Sequence, residues 1–369
     1  MLKWTLRGLL SAPQQLLASI AAVAGAFALV LFFEGVFSGE SEKIVALIER
    51  TDADVWVMQK GVGNMHMANS FVADWKIDAV AAVEGVEKVT PILYLNSVIE
   101  AGGRNWFSFV VGLEQGDTRA GPWKAAGGAV IPEPGEAVVP DIFASDAGLK
   151  IGDQIRIAGR DFTVSGFSAE TFSMSNSITY VTLDDLADTM STIGAVSYLL
   201  VDAKPGVDAG ELAKRIKGEV EKVNALTRQE FSDRDFSIAV QMGLEIVWIM
   251  TLVGAALATL LTGFIIYSYV SSRERELAVM KALGVRDTAI YFSIMVQALI
   301  IGILAFALAV LVMLIAMPLV EILAPKISLG LTKEALMRTG LIAVIVSLLA
   351  SIIPVRRVLA VDPVTAFQQ

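Results

Sequence analysis

The 369 residues offer few groups able to do chemistry on their own. No G-x-x-x-x-G-K-[ST] occurs, so no P-loop cradles a nucleotide phosphate. The run GFSAE, 166–170, lacks the closing glycine of a G-x-S-x-G nucleophile elbow. There are no cysteines, which removes thiolate chemistry and disulfide staples and leaves the compartment open. His66 is the single imidazole, in GVGNMHMANS, with no second one to share a metal; it reads as an incidental loop histidine. The neighbouring carboxylates Asp184 with Asp185 and Asp233 with Asp235 read as loop or cap positions. No metal site and no cofactor are expected in this chain, and a membrane enzyme has no catalytic constellation to stand on.

One stretch stands apart, SSRERELAVMKALGVRDTAI at 271–290, wedged between two long apolar runs. Ser271 and Glu274 fit an S-x-x-E capping box, Gly284 suits a helix stop, and Asp287 can cap the helix that follows. A helix of about three turns puts Val279, Met280 and Leu283 on one arc with Glu276. A carboxylate among apolar neighbours is costly unless a cation meets it, which suits a docking helix. A stop-transfer flank whose early carboxylate complements the helix dipole accounts for the periodicity equally well.

The elements that must position this stretch are membrane spans. The chain is 55% hydrophobic and 18% charged, with a mean hydropathy of +0.63, above the range of soluble domains. Uncharged runs at 8–33, 246–272, 288–320 and 339–355 each approach or exceed the ~17 to 25 residues a helix needs to cross hydrocarbon. The third is long enough to predict tilt or a break near Pro318, and the short fourth borrows Arg338 as a snorkelling end. None of these runs carries a mid-span charge, which disfavours an ion-driven carrier. The first run predicts a retained span over a cleaved signal peptide, and Ala18, Ala21, Gly25 and Ala28 form a small-residue face suited to another helix.

Between the first and second spans, residues 34–241 hold 18 Lys and Arg against 31 Asp and Glu. Basic residues flank the spans instead: Lys3, Arg7, Arg273, Arg275, Lys281, Arg286, Arg356 and Arg357. By the positive-inside rule the N-terminus, the 273–287 loop and the C-terminus are cytoplasmic and the acidic segment is outside. The acidic balance and the lack of basic clusters argue against a nucleic-acid partner. The expected fold is a multi-pass α-helical membrane protein with four transmembrane helices and a large α+β extracytoplasmic domain between the first two. Its divisions are 1–33 (N-terminus and span), 34–242 (exported domain), 243–272 (span), 273–287 (loop helix), 288–320 (span), 321–337 (outer loop), 338–356 (span) and 357–369 (tail).

Within the exported segment, DADVWVMQKG, TPILYLNSVIEAG, NWFSFVVGLE and AVSYLLVDAKPG read as strands, and SFVADWKIDAVAAVEGVEKV as a helix. LKIGDQIRIAGRDFTVSGF reads as two strands around the turn AGRD, part of a β-rich insert at about 113–190. A helix capped by Asp208 carries the stripe Leu212, Ile216, Val220 and Val223. Trp106 and Trp123 are expected to be buried.

The run RERELAVMKALGVR resembles the coupling-helix segment of the MacB, LolC, DevC and FtsX group of ABC transporter permeases, and the tail IIPVRRVLAVDPVTAF is similar to that family's closing pattern. The order of one span, an exported domain and three spans agrees, so the resemblance covers essentially the whole chain. Arg275, Glu276, Leu277, Ala278, Lys281, Ala282, Leu283 and Gly284 match the coupling motif, and Asp362 and Pro363 match the tail in a structural role. The resemblance implies an inner-membrane permease that pairs as a dimer and is driven by a separate ABC ATPase, which binds the ATP and Mg. Glu276 would be the polar anchor in the ATPase groove, Val279, Met280 and Leu283 its apolar footing and Gly284 the terminator. It further implies mechanotransmission: ATP-driven movement of the exported domain, acting on a lipid, lipoprotein or amphipathic substrate from membrane lipid or the periplasm. A periplasmic adaptor and outer-membrane channel accompany DevC-like members. The alternative is an FtsX-like regulator that activates a cell-wall hydrolase and transports nothing. No ATPase is fused here, a departure from MacB, which brings the chain closer to the DevC type.

Overall fold

Two kinds of hydrophobic pattern divide the chain into two units in the computed structural model, which describes residues 13–174, 176–192, 194–241, 245–272 and 274–359. In chain order the elements are α1 (Pro13–Ile44), α2 (Ala46–Arg50), β1 (Val55–Gln59), β2 (Val72–Ala73), α3 (Lys76–Ala81), β3 (Val86–Ala101), β4 (Arg104–Leu113), β5 (Ala125–Gly128), β6 (Glu136–Pro140), α4 (Asp141–Ala147), β7 (Gln154–Ile157) and β8 (Arg160–Ser168). They continue with β9 (Ile178–Thr182), α5 (Leu183–Met190), β10 (Ala195–Val196), β11 (Tyr198–Ala203), α6 (Ala209–Glu219), β12 (Val223–Thr227), α7 (Arg228–Ala239), α8 (Glu245–Ser271), α9 (Glu274–Ala282), α10 (Asp287–Leu323) and α11 (Lys333–Leu359).

The membrane unit comprises residues 1–39, 245–324 and 329–369. Its four long helices, α1, α8, α10 and α11, are each apolar enough to cross a bilayer. Helix is the fold that satisfies every backbone group within one segment where no water is at hand. Small residues set how closely these helices approach. Along α10, Ala298, Gly302, Ala305 and Ala309 are buried at helical spacing, and Ala305 and Ala309 share a core with Val23, Phe27 and Leu31 of α1 and Ala343 and Val346 of α11. A methyl added to Gly302 would meet Ser347 Oγ at 1.9 Å, and one on Gly254 would meet Val30 at 3.0 Å.

Three features of the spans bear on the sequence expectations. Of the tilt or break expected near Pro318, no break occurs: helix α10 runs on to Leu323, because losing one N–H near the end of an apolar helix is tolerated. Helix α1 continues past the charge-free run at 8–33 to Ile44, so that Glu34, the first residue beyond that run, lies buried within the helix. On the small-residue face of α1, Ala18, Ala21 and Gly25 are exposed, with no atom within 4 Å of a Cβ placed on Gly25, whereas Ala28 packs against the bundle core.

The α+β unit comprises residues 40–244 and 325–328. One large sheet runs β12-β1-β11-β3-β4-β9-β6-β8-β5, with β7 bridging β3 and β8, and β10 pairs β2 separately. Alternation along β1 explains the two cores. Val55 and Val57 face Leu212 and Ile216 of α6, whereas Trp56 and Met58 face Phe231 of α7. Asp208 caps α6 by accepting from the Glu211 N–H, and of the expected stripe Val223 falls on β12 because the helix ends at Glu219. The predicted long helix before β3 shrinks to α3, as Val86 and Val89 join the sheet. The β-rich segment expected at about 113–190 supplies β5 to β9 and continues the same sheet, with β9 pairing in parallel with β4. Trp106 is half-buried, packed on Phe143 beneath the Arg104 guanidinium, and Trp123 packs against the core.

Two carboxylates expected at the surface are buried. Asp185 accepts from the Gly135 N–H and pairs with Arg160. Asp235, wholly buried in α7, accepts from the Met65 N–H at 2.7 Å and the His66 N–H at 3.2 Å, and its Oδ2 lies 2.6 Å from His66 Nδ1. His66 is thus no loose loop residue, but a buried ring set edge-on to Phe109. Burial, then the Asp235 carboxylate, pushes the Tyr198 hydroxyl up, so that phenol stays neutral. Replacing Asp235 by Ala would orphan three donors at about 1–3 kcal/mol each. Asp235→Ala is therefore expected to lower the thermal unfolding midpoint of the detergent-purified full chain, with Asp235→Asn milder; equal midpoints for Asp235→Ala and wild type would contradict this arrangement.

Candidate functional site

Helix α9 joins α8 to α10, and its two faces differ. Leu277 (3% exposed) packs with Ile266 and Val270 of α8 and Ile290, Ile294 and Ala298 of α10, and Ala278 beside it is buried (1%). Apolar side chains recurring on the ends of the flanking spans supply this seat. The opposite face carries Glu276, Val279 and Leu283, all exposed, with Leu283 at 79%. Met280 turns toward the cluster that Leu277 fills. The expected arc of Glu276 with Val279, Met280 and Leu283 therefore splits, because Met280 lies at the edge of the buried face. Arg275 lies in the first turn of α9 and Ala282 at its exposed end.

The ends of α9 are set by backbone chemistry. Gly284 adopts φ +84°, the Gly284 N–H donates to the Lys281 carbonyl and the Val285 N–H to the Met280 carbonyl. This is a Schellman turn, and Val285 and Met280 pack on the same cluster, as that motif favours. Lys281, only 12% exposed, lies 3.4 Å from Asp287. The pair places a cation in the last turn of α9 and a carboxylate in the first turn of α10, complementing both helix dipoles. Asp287 thus acts from inside its helix; the N-cap position is Arg286, without a side-chain cap bond. The capping box is also displaced, since Ser271 belongs to the last turn of α8. Arg273, Asp362 and Pro363 lie outside the described residues.

Residues of type and spacing alone did not reveal Leu277 and Ala278 as anchors, although Ile266, Val270 and Leu277 form an apolar series across the α8–α9 junction. The arrangement offers a short helix held rigidly on one side and presenting one carboxylate and two aliphatic side chains on the other.

Comparison with known proteins places this geometry in a class. Residues 16–219 match the MacB-like periplasmic core domain, and residues 248–363 match the FtsX-like permease C-terminal domain. The chain is 24% identical over 363 residues to an uncharacterized ABC transporter permease of Mycobacterium tuberculosis (strain ATCC 25618 / H37Rv), spanning 96% of this chain and 95% of the relative. Among solved structures it is similar to the periplasmic region of MacB from Actinobacillus actinomycetemcomitans, with 11% identity and a TM-score of 0.39 over 50% of this chain and 92% of that one. It is also similar to the extracellular domain of the noncanonic ABC-type transporter YknZ from Gram-positive bacteria, with 14% identity and a TM-score of 0.36 over 47% and 98%. The chain belongs to the family of ABC transporter permeases that join a MacB-like periplasmic core domain to an FtsX-like membrane domain.

The seat of α9 is open to direct measurement. Leu277→Ala, which empties a buried position, is expected to cost about 2–5 kcal/mol. Gly284→Ala, which forces a left-handed residue without steric contact, is expected to cost about 1–2 kcal/mol. Leu283→Ala should stay within about 0.5 kcal/mol of wild type. Thermal unfolding of the full chain in detergent ranks the three, and a destabilising Leu283→Ala would invert the assignment of faces.

Proposed function

We propose that this chain is the membrane subunit of an ABC exporter, driven by a separate ATPase that grips α9. The observation carrying this reading is the two-faced helix. Leu277 and Ala278 pin α9 to the bundle, while Glu276, Val279 and Leu283 project away on a firmly terminated turn. A load applied to that face passes to α8 and α10 through packed side chains instead of being lost in a loose loop. Glu276 would meet a cationic group in the ATPase groove, with Val279 and Leu283 as apolar footing beside it. ATP and Mg would be held by the partner, and two permeases would pair around the exposed Ala18, Ala21 and Gly25 of α1.

Movement of the bundle would then work the α+β unit by mechanotransmission. The substrate class this suits is a lipid, lipoprotein or amphipathic molecule from the far side of the membrane, handed on with the help of a periplasmic adaptor and an outer-membrane channel. In this reading α9 and both termini are cytoplasmic and the α+β unit is extracytoplasmic.

Glu276→Ala and Leu283→Asp are expected to weaken co-purification of the ATPase and to lower the ATP turnover of the complex, without shifting the unfolding midpoint of the permease. Unchanged partner recovery for both variants would remove the docking role of this face. A reporter inserted after Gly284 is expected to be cytoplasmic and one near Gly128 exported, and the reverse pattern would overturn the orientation.

A further inference from the structure

We propose that Glu34 and Arg338 are a membrane-embedded positioning pair which, with two neighbouring contacts, closes a permanent joint between α1 and α11, so that both helices move as one lever. Glu34 is 3% exposed, and its Oε2 lies 3.1 Å from Arg338 Nη2 as an ion pair. The same guanidinium sits over the Phe37 ring at 5.8 Å, one turn along α1. One residue further, Ser38 Oγ and Thr332 Oγ1 share a hydrogen bond of 3.0 Å. Thr332 in turn accepts from the Ala335 N–H and so holds the first turn of α11. Between them the Gly330 N–H donates to the Gly35 carbonyl at 2.9 Å. A Cβ on Gly330 would come within 3.0 Å of the Gly39 nitrogen, so glycine there is required by backbone-to-backbone approach.

These contacts do something that apolar packing in a membrane does not. Lipid tails are as apolar as leucine, so two smooth helix faces slide past each other at little cost. The hydroxyl pair and the backbone hydrogen bond fix axial register, because each is lost within a short displacement, and the ion pair adds a charge attraction across the same joint. A buried carboxylate that lost its cation would be strongly penalised, which makes opening of the joint unfavourable throughout a working cycle. Helix α11 shares a core with α10, which packs against α9, and α1 continues to Ile44. The joint therefore hands any displacement of the bundle to the helix whose far end belongs to the α+β unit.

This inference rests on the exporter reading for its purpose, and the absence of cysteines makes it directly testable. Ser38→Cys with Thr332→Cys in the full chain should cross-link on oxidation in membranes to the same extent with and without ATP and vanadate. The oxidised complex should turn over ATP as the reduced one does. Failure to cross-link, nucleotide-dependent cross-linking, or an arrest that reductant relieves would each overturn the joint. Glu34→Ala is expected to lower ATP turnover by roughly 2- to 30-fold. Glu34→Arg with Arg338→Glu should recover turnover lost in either single reversal, and no recovery would deny the pair a positioning role. If no ATPase accompanies the chain, the exporter reading fails, while the cross-linking arm still decides whether the joint stays closed.

Discussion

A bilayer offers these helices no hydrophobic force with which to choose partners, and the rest of the structure follows from that constraint. What remains is close approach and the occasional polar contact. Gly302 against Ser347 and Gly254 against Val30 let a neighbouring helix's side chain settle where a Cβ would crowd it. Hydroxyls in the spans turn back on their own helix, as Ser347 does to the Ala343 carbonyl and Thr259 to the Ala255 carbonyl. Such a bundle is dense but weakly registered, so its few polar cross-links carry a disproportionate share of its geometry.

Helix α9 solves a related problem at the edge of the bundle. A nine-residue helix is too short to be stable in water by itself, and it persists here because neighbours supply what propensity does not. Leu277 and Ala278 give it a floor, the Lys281–Asp287 pair ties its end to α10, and the Gly284 turn stops it cleanly. The residues that stabilise the helix and the residues it displays are different sets. That separation lets the exposed face be shaped for a partner without loss of the helix itself.

The sequence carried the large features because each depends on many residues at once. Four apolar runs, the polar segment between them, the Asp208 cap and the Gly284 stop all follow local rules that the fold obeys. The failures share a cause: they turn on a partner distant in the chain. Glu34 looked like the first polar residue beyond a span because nothing local announces Arg338. Asp235 and His66 looked like surface residues because they are separated by most of the α+β unit. Within α9, periodicity grouped Met280 with Val279 and Leu283, and only the flanking spans decide which edge of that arc is covered. How the β-rich segment joins the sheet was hidden for the same reason, since parallel pairing of β9 with β4 leaves no hairpin signal.

Buried polar pairs recur wherever this chain must hold a segment that lacks regular structure. In the α+β unit, Asp235 on α7 secures the turn around Met65 and His66, a stretch with no ladder of its own to satisfy its amides. In the membrane unit, Glu34 and the glycines around it secure the residues that lead into α11. An apolar patch would hold either segment as tightly, but would leave its register free. A carboxylate held by fixed donors, as Asp235 is, or opposite a cation, as Glu34 is, does not, since a displacement of a few ångströms strands a charge away from water. Register is what a protein that works by moving parts must preserve, and this fold spends its buried charges where apolar packing alone would let the chain slip.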